Sequence, residues 1–171
     1  SIVEDLTEIV AKLPSSDLGS MERIAFGQSR ANAAVTLLRL GEHERVFSVF
    51  DGSDDDPEAL TQFVFRCRNR DVVADSLLEC MDSLNSSRCP DDSRYGLLLA
   101  LGEFEYEEIP ESRRGKLLTQ IAGWYADDPR AGVHGAAGWL LRHWGQTETA
   151  RKIEQREVLY SQDREWFTLA I

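Results

Sequence analysis

The stretch YADDPRAGVHGAAGWLLRHWGQ, Tyr125 to Gln146, carries the cleanest helical stripe in the sequence. Val133, Ala136, Ala137, Leu140, Leu141 and Trp144 recur at helical spacing and form one apolar stripe. Asp128–Pro129 opens the stripe and Gly145 closes it. Asp caps free helix N–H groups, Pro fits the first turn, and Gly tolerates the left-handed residue that ends a helix. VTLLRLGE (Val35 to Glu42) and GLLLALGE (Gly96 to Glu103) share this frame. Leu37, Leu98 and Leu141 each lie four residues before the closing glycine, and Leu40, Leu101 and Trp144 one before it. Helix-ending residues are expected at Gly41, Asn69, Gly102 and Gly145, with helix starts at Asp56–Pro57, Pro90–Asp91 and Asp128–Pro129.

The remaining segments also read as helical. Ile2, Leu6, Ile9, Val10 and Leu13 share one helix face, which Pro14 and Ser15–Ser16–Asp17 end while capping the next helix. Met21, Ile24, Ala31, Ala34, Val35 and Leu38 carry a long second helix. Shorter helices are expected near 44–50, 72–84 and 112–125, and only 166–171 leans toward extended structure. A helix pair with one apolar face cannot bury that face alone, whereas stacked pairs build a continuous core. The expected fold class is therefore all-α: a HEAT/armadillo-like α-solenoid of about four helix pairs with a short extended C-terminal tail. An irregular helical bundle is the alternative. Residues 1–158 read as the helical-repeat domain and 159–171 as a linker or the start of a following domain. Ser1 and Ile171 read as two cut ends.

The net charge of −11 and pI near 4.7 argue against a general binder of phosphate backbones, which needs a basic face. The longest apolar run, GLLLALG, falls far short of the ~18 residues of a membrane span. Neither nucleic acid nor membrane is expected as a partner of this segment. Cys67, Cys80 and Cys89 form no Cys-x-x-Cys pair; Cys67 and Cys80 read as small buried hydrophobes of a reducing, cytoplasmic protein.

No cofactor or metal is expected. His134 and His143 are nine residues apart and cannot share a helix-face metal site. The acidic loop from Asp51 to Asp56 places Asp56 and Gln62 where a calcium loop needs Gly and Glu, so it reads as a solvated capping turn. No G-x-S-x-G turn is present, and no catalytic residue is assigned.

RANAAVTLLRLGE (Arg30 to Glu42), RYGLLLALGEF (Arg94 to Phe104) and the Tyr125 to Gln146 stretch together resemble a bacterial HEAT-like region. That region is known from planctomycete-type multidomain proteins. It adjoins a formylglycine-generating-enzyme-like (sulfatase-modifying factor) domain and often follows a serine/threonine protein kinase domain. The resemblance covers roughly Arg30 to Gln146. It implies that Arg164–Glu165–Trp166–Phe167–Thr168 resembles the entry to a catalytic domain that lies outside this chain. No formylglycine-generating cysteine pair, kinase Gly-rich loop or DFG-type metal site is present to carry over.

Arg130, His134 and Arg142 read as a small cationic stripe on the polar side of the last strong helix, either simply solvated or able to dock an acidic partner segment. Gly132, Gly135 and Gly138 suggest close approach by another helix, or a bend. Trp139 lies off the apolar stripe and is the leading candidate for partner contact; Trp166 is a second. The functional expectation is a non-catalytic helical-repeat interaction or spacer module that binds a flanking catalytic domain or another protein. The alternatives are a stand-alone protein-binding subunit and a HEAT-like nucleic-acid-modifying enzyme such as a DNA glycosylase, which would need Arg66, Arg68, Arg70, Arg94 and Arg142 to line one basic groove.

Overall fold

A computed structural model of the chain describes residues 1–52, 55–84 and 89–168. All regular structure among them is helical. The α-helices are α1 (Ile2–Ala11), α2 (Ser20–Arg39), α3 (Glu58–Asn69), α4 (Ala74–Ser83), α5 (Ser93–Leu101), α6 (Glu111–Asp127), α7 (Ala131–His143) and α8 (Thr147–Glu154). Short 3-10 segments occupy His43–Phe50 and Tyr106–Glu108. The chain divides into two compact units, one up to Phe104 and one from Glu105.

In the first unit α2 is the central element. It packs on α1, on α3 and on the His43–Phe50 segment, while α4 and α5 complete the layer. Its core is built from Leu37, Leu38, Phe50, Phe63, Leu77, Leu78, Leu97, Leu98 and Leu101, all essentially inaccessible to water. Phe50 and Phe63 meet edge to face at 5.4 Å, and Gly96 leaves the space that the Phe50 ring fills; a Cβ at position 96 would overlap that ring.

Arg30 is the exception in this apolar interior. Its side chain is 2 % exposed and meets backbone carbonyls. Nε donates to Val10 O at 2.9 Å, and Nη2 to Ser48 O at 2.5 Å and Asp51 O at 3.2 Å. Those carbonyls lie at the end of α1 and at the end of the 3-10 segment, where no helical N–H is available. Burial lowers the guanidinium pKa, opposed by Asp51 and Asp56. One buried cation thus ties three chain segments together through charge-assisted hydrogen bonds.

The helix ends follow the expected frame only in part. Gly41 and Gly145 are left-handed, at φ +80° and +73°. Glu42 N donates to Leu37 O and Gly41 N to Leu38 O; Gln146 N donates to Leu141 O and Gly145 N to Arg142 O. Both ends are Schellman motifs. At the third position the left-handed residue is Asp71 (φ 57°) rather than Asn69, and Val72 N closes the same bond to Cys67 O. Gly102 is right-handed (φ −66°): the chain leaves α5 through successive tight turns that bury Phe104, so no left-handed residue is needed.

Other boundaries also move. Helix α1 stops at Ala11, so Leu13 is exposed instead of joining the α1 face. The start of α2 is supported not by Ser15–Asp17 but by Glu22, whose carboxylate accepts from Gly19 N at 2.9 Å. Met21 and Ile24 are exposed, while Ala31, Ala34, Val35 and Leu38 are buried as expected. Asp56 accepts from Glu58 N at the start of α3; Ser53 and Asp54 of that acidic loop lie outside the described residues. All three cysteines are free. Burial raises both the Cys67 and Cys80 thiols, Cys80 to about 12, which suits packed hydrophobes rather than nucleophiles.

In the second unit α6, α7 and α8 pack against one another. Leu117, Ile121, Val133, Ala137, Leu140, Leu141 and Ala150 fill the centre. Trp144 is buried beside Tyr106 at 5.8 Å. Residues 158–168 form a turn-containing strap and not a strand; Leu169 to Ile171 lie outside the described residues.

Replacing Arg30 by Met should lower unfolding stability by about 3 kcal/mol, because each buried carbonyl left without a donor costs roughly 1–3 kcal/mol. Urea titration followed by far-ultraviolet circular dichroism measures it. Arg30→Lys is expected to recover only part of the loss, since an ammonium cannot span three divergent carbonyls.

Candidate functional site

The corner between α6 and α7 assembles the densest group of polar and aromatic side chains in the second unit. Its geometry starts from an obligation: the last carbonyls of α6 and the first N–H groups of α7 have no partners within their helices. Asp128 supplies one bond locally, its carboxylate accepting from Arg130 N at 3.0 Å. The others come from farther away. His134 Nδ1 lies 2.7 Å from Tyr125 O. A carbonyl can only accept, so Nδ1 carries the proton and the neutral ring keeps its lone pair on Nε2. Trp166 Nε1 donates to Asp128 O at 2.8 Å, Glu165 N donates to Pro129 O at 2.9 Å, and Glu165 Oε2 accepts from Ala131 N at 2.8 Å. Glu165 is thus an N-terminal cap for α7 delivered from 34 residues away.

Over these bonds the rings stack. His134 lies between Trp166, with ring centroids 3.6 Å apart and planes 20° apart, and Tyr125, at 4.7 Å and 34°. The Arg164 guanidinium sits 4.5 Å from the Trp166 ring centre, and that of Arg142 sits 5.5 Å from Tyr125. Tyr125 can approach this closely because position 138 is glycine; a Cβ there would lie 2.6 Å from the Tyr125 ring. Arg142 donates to Gly138 O at 2.7 Å and to Tyr125 Oη at 3.0 Å, and it pairs with Glu154. Tyr125 Oη donates in turn to Glu154 Oε1 at 2.8 Å. Beneath the strap lies a cavity of about 110 Å³, walled by Tyr125, His134, Ile153, Glu154, Val158 and Trp166 among others.

Electrostatics keep His134 neutral. Burial lowers its pKa first, and the nearby Arg164 and Arg142 lower it further; the bond to Tyr125 O and the Asp128 carboxylate oppose the shift. Its place in the first turns of α7, at the positive end of the helix dipole, disfavours a proton in the same direction.

This arrangement corrects the reading of a cationic stripe. Arg130 is the residue that precedes α7, His134 is neutral and half-buried in a ring stack, and Arg142 is paired with Glu154. His134 and Arg142 are thereby drawn out of a joint positive face. Trp166, in contrast, joins His134 directly. Gly138 does permit close approach, but by the Tyr125 side chain rather than by a helix backbone, and Gly135 faces open space. Trp139 lies apart from the cluster, 44 % exposed, stacked on His143 one turn later at 5.1 Å with planes 10° apart. Among the basic-groove candidates, Arg68 donates to Glu103 O and lies over Phe104.

Sequence reasoning missed Tyr125, Glu154, Arg164 and Glu165 as members of this site, reading Tyr125 as part of the helix expected near 112–125 and Arg164–Glu165 as the entry to a following domain. The hydrogen bonds Tyr125–Arg142, Tyr125–Glu154 and Ala131–Glu165 span 17 to 34 residues, beyond any helical period, and the one local trace is the glycine at 138. Among the described residues no group of three or more His, Cys, Asp or Glu is placed to hold a metal ion, and no helix is long and apolar enough to cross a membrane.

No protein-family model matches the sequence, no curated protein matches it, and no solved structure matches the fold.

Trp166→Ala should destabilise the second unit by about 2 kcal/mol, the scale for truncating a partly buried aromatic that also bonds a carbonyl. Because His134 binds a proton less readily when folded, stability should be at its plateau above the ordinary imidazole value of about 6.5 and fall as pH drops below it. Thermal melts across that range, compared with a His134→Gln chain whose melt lacks this dependence, check the sign.

Proposed function

We propose that this chain is a non-catalytic helical-repeat interaction or spacer module, of the kind that neighbours a sulfatase-modifying-factor-like domain in larger bacterial proteins. The observation that carries the reading is the outer face of α7. Trp139 is held flat against His143 and leaves 44 % of its surface to solvent, in the last of the three stretches that carry the resemblance. A large aromatic stacked on a neighbour loses less entropy on binding than a free one, which suits an interface anchor. Gly135, one turn before Trp139, has open space around it and presents bare backbone on that side.

A stacked array of helix pairs is supported by the repeated frame. Two helices end in Schellman motifs at Gly41 and Gly145, each with a buried Leu four residues earlier, Leu37 and Leu141. The polar groups of the α6–α7 corner fit a structural role, since the Tyr125 hydroxyl, the Arg142 guanidinium and the Glu154 carboxylate are engaged with one another. The partner is the flanking catalytic domain or another protein, met through Trp139.

Trp139→Ala should weaken binding of the chain to its flanking domain by about 2 kcal/mol or more, roughly 30-fold in affinity, without changing the melting temperature. Calorimetric titration of the two separately purified domains measures it. Equal affinities for the parent and Trp139→Ala chains would remove this face from the interface, and turnover by the chain alone would remove the non-catalytic reading.

A further inference from the structure

The strap from 158 to 168 is held at one strategic point. Thr168 N donates to Val158 O and Val158 N donates to Thr168 Oγ1, which closes the strap on itself. Trp166 and Glu165 then fasten it to the α6–α7 corner, and the face of Trp166 rests on the imidazole of His134. The bond to Tyr125 O by itself favours a second proton; burial in the stack, with Arg164 and Arg142 at its outer rings, disfavours it.

A second proton would make the imidazole a cation inside a stack whose outer rings are each already engaged by one. Arg164 lies over Trp166, and Arg142 lies beside Tyr125. The usual gain of a cation on an aromatic face is therefore largely spent. The groups around His134 carry both signs. From α7 come the helix N-terminus and Arg142, and from the strap Arg164, all positive. Beyond α8, Arg156 lines the cavity and is paired with Asp127. On the negative side, Asp128 accepts from Arg130 N, Glu165 caps α7, and Glu154 of α8 is bonded to Arg142 and Tyr125. Of these, Arg164 and Arg142 disfavour the new charge and Asp128 favours it, with burial setting the direction, and Arg164 rests on the same indole that covers the imidazole.

We propose that His134 is a proton-operated latch for the C-terminal strap: protonation of its imidazole detaches the segment around Trp166 from α7 and opens the cavity beneath it. The lowered proton affinity of the latched imidazole agrees in sign, because the detached state then binds the proton more tightly and gains population in acid. The move is local. Residues of α6 and α7 that pack the centre, such as Ile121, Ala137 and Leu141, do not touch the proton's site through charge and remain folded.

Nuclear magnetic resonance on the whole chain tests this. The ring Cε1–H of His134 is titrated from about pH 7.5 to about pH 5 while exchange of the Trp166 indole Nε1–H is followed in the same samples. The expected result is one shared midpoint: the indole proton loses its protection as His134 gains its proton, while α6 and α7 amides keep theirs. His134→Phe, which keeps a flat ring but cannot be protonated, should hold the strap protected through the whole range. An indole that stays protected while His134 titrates would overturn the proposal. So would loss of indole protection at the same pH in the parent and His134→Phe chains. If His134→Phe does not fold, Arg164→Gln serves instead: with the competing cation gone, His134 should titrate at a higher pH than in the parent, and an unmoved titration counts against the latch.

Discussion

Backbone carbonyls left over at helix ends govern this molecule more than any charge pair does. An all-helical chain of short elements creates many such groups, each needing a donor once water is excluded. Here arginine side chains supply a large share of the donors. Arg30 serves Val10, Ser48 and Asp51; Arg23 serves Leu18 and Ser16; Arg114 serves Ile109 and Glu107; Arg68 serves Glu103. A guanidinium suits the task because its donors are fixed in a plane and reach more than one acceptor. The acidic balance of the chain is consistent with this division of labour, since many cations are occupied with carbonyls and many carboxylates remain in solvated turns.

The second unit meets the same obligation differently. At the α6–α7 corner the donors are an imidazole, an indole and a backbone N–H from the strap, and a carboxylate accepts from the first turn of α7. Stacking is a consequence of this bonding. Once His134 must reach Tyr125 O and Trp166 must reach Asp128 O, their rings are brought face to face over a short distance. Gly138 is the permissive element, because only a residue without Cβ lets Tyr125 lie where both the stack and the Glu154 bond need it.

What could be read in the sequence was local. The apolar stripe of α7, the buried C-terminal half of the α2 stripe and the left-handed caps at Gly41 and Gly145 all depend on residues within one or two turns, whereas the Asp/Pro pairs lie at or just before the helix starts, with none of their prolines inside a first turn. Where a cap depended on what followed, the reading slipped: Gly102 looks like a stop, yet burial of Phe104 draws the chain through right-handed turns instead. Leu13 fits the α1 stripe by spacing, but the helix has already ended. The functional cluster was half legible for the same reason. His134, Arg142 and Trp166 stand out by residue type, but their meaning comes from Tyr125, Glu154 and Glu165, whose nearness is set by packing across the corner. Spacing on one helix suggested a positive stripe; the fold turns His134 toward a carbonyl and a ring, and Arg142 toward a carboxylate.

The cap and the stack at this corner are one device. Glu165 brings negative charge to the positive end of α7, where it stabilises the helix. The neighbouring residue, Trp166, covers the imidazole that the same helix end keeps from becoming a cation. Moving the strap therefore changes two terms together: α7 loses the carboxylate at its first turn, and His134 loses both its indole cover and the nearby Arg164. The first change weakens the helix end and the second frees the imidazole to take a proton, so strap position and proton binding are linked by geometry as well as by charge. A buried ring whose neighbours were all fixed in the core would lack this linkage. It arises because half of the ring's environment is carried on a strap held by a handful of hydrogen bonds to a single corner.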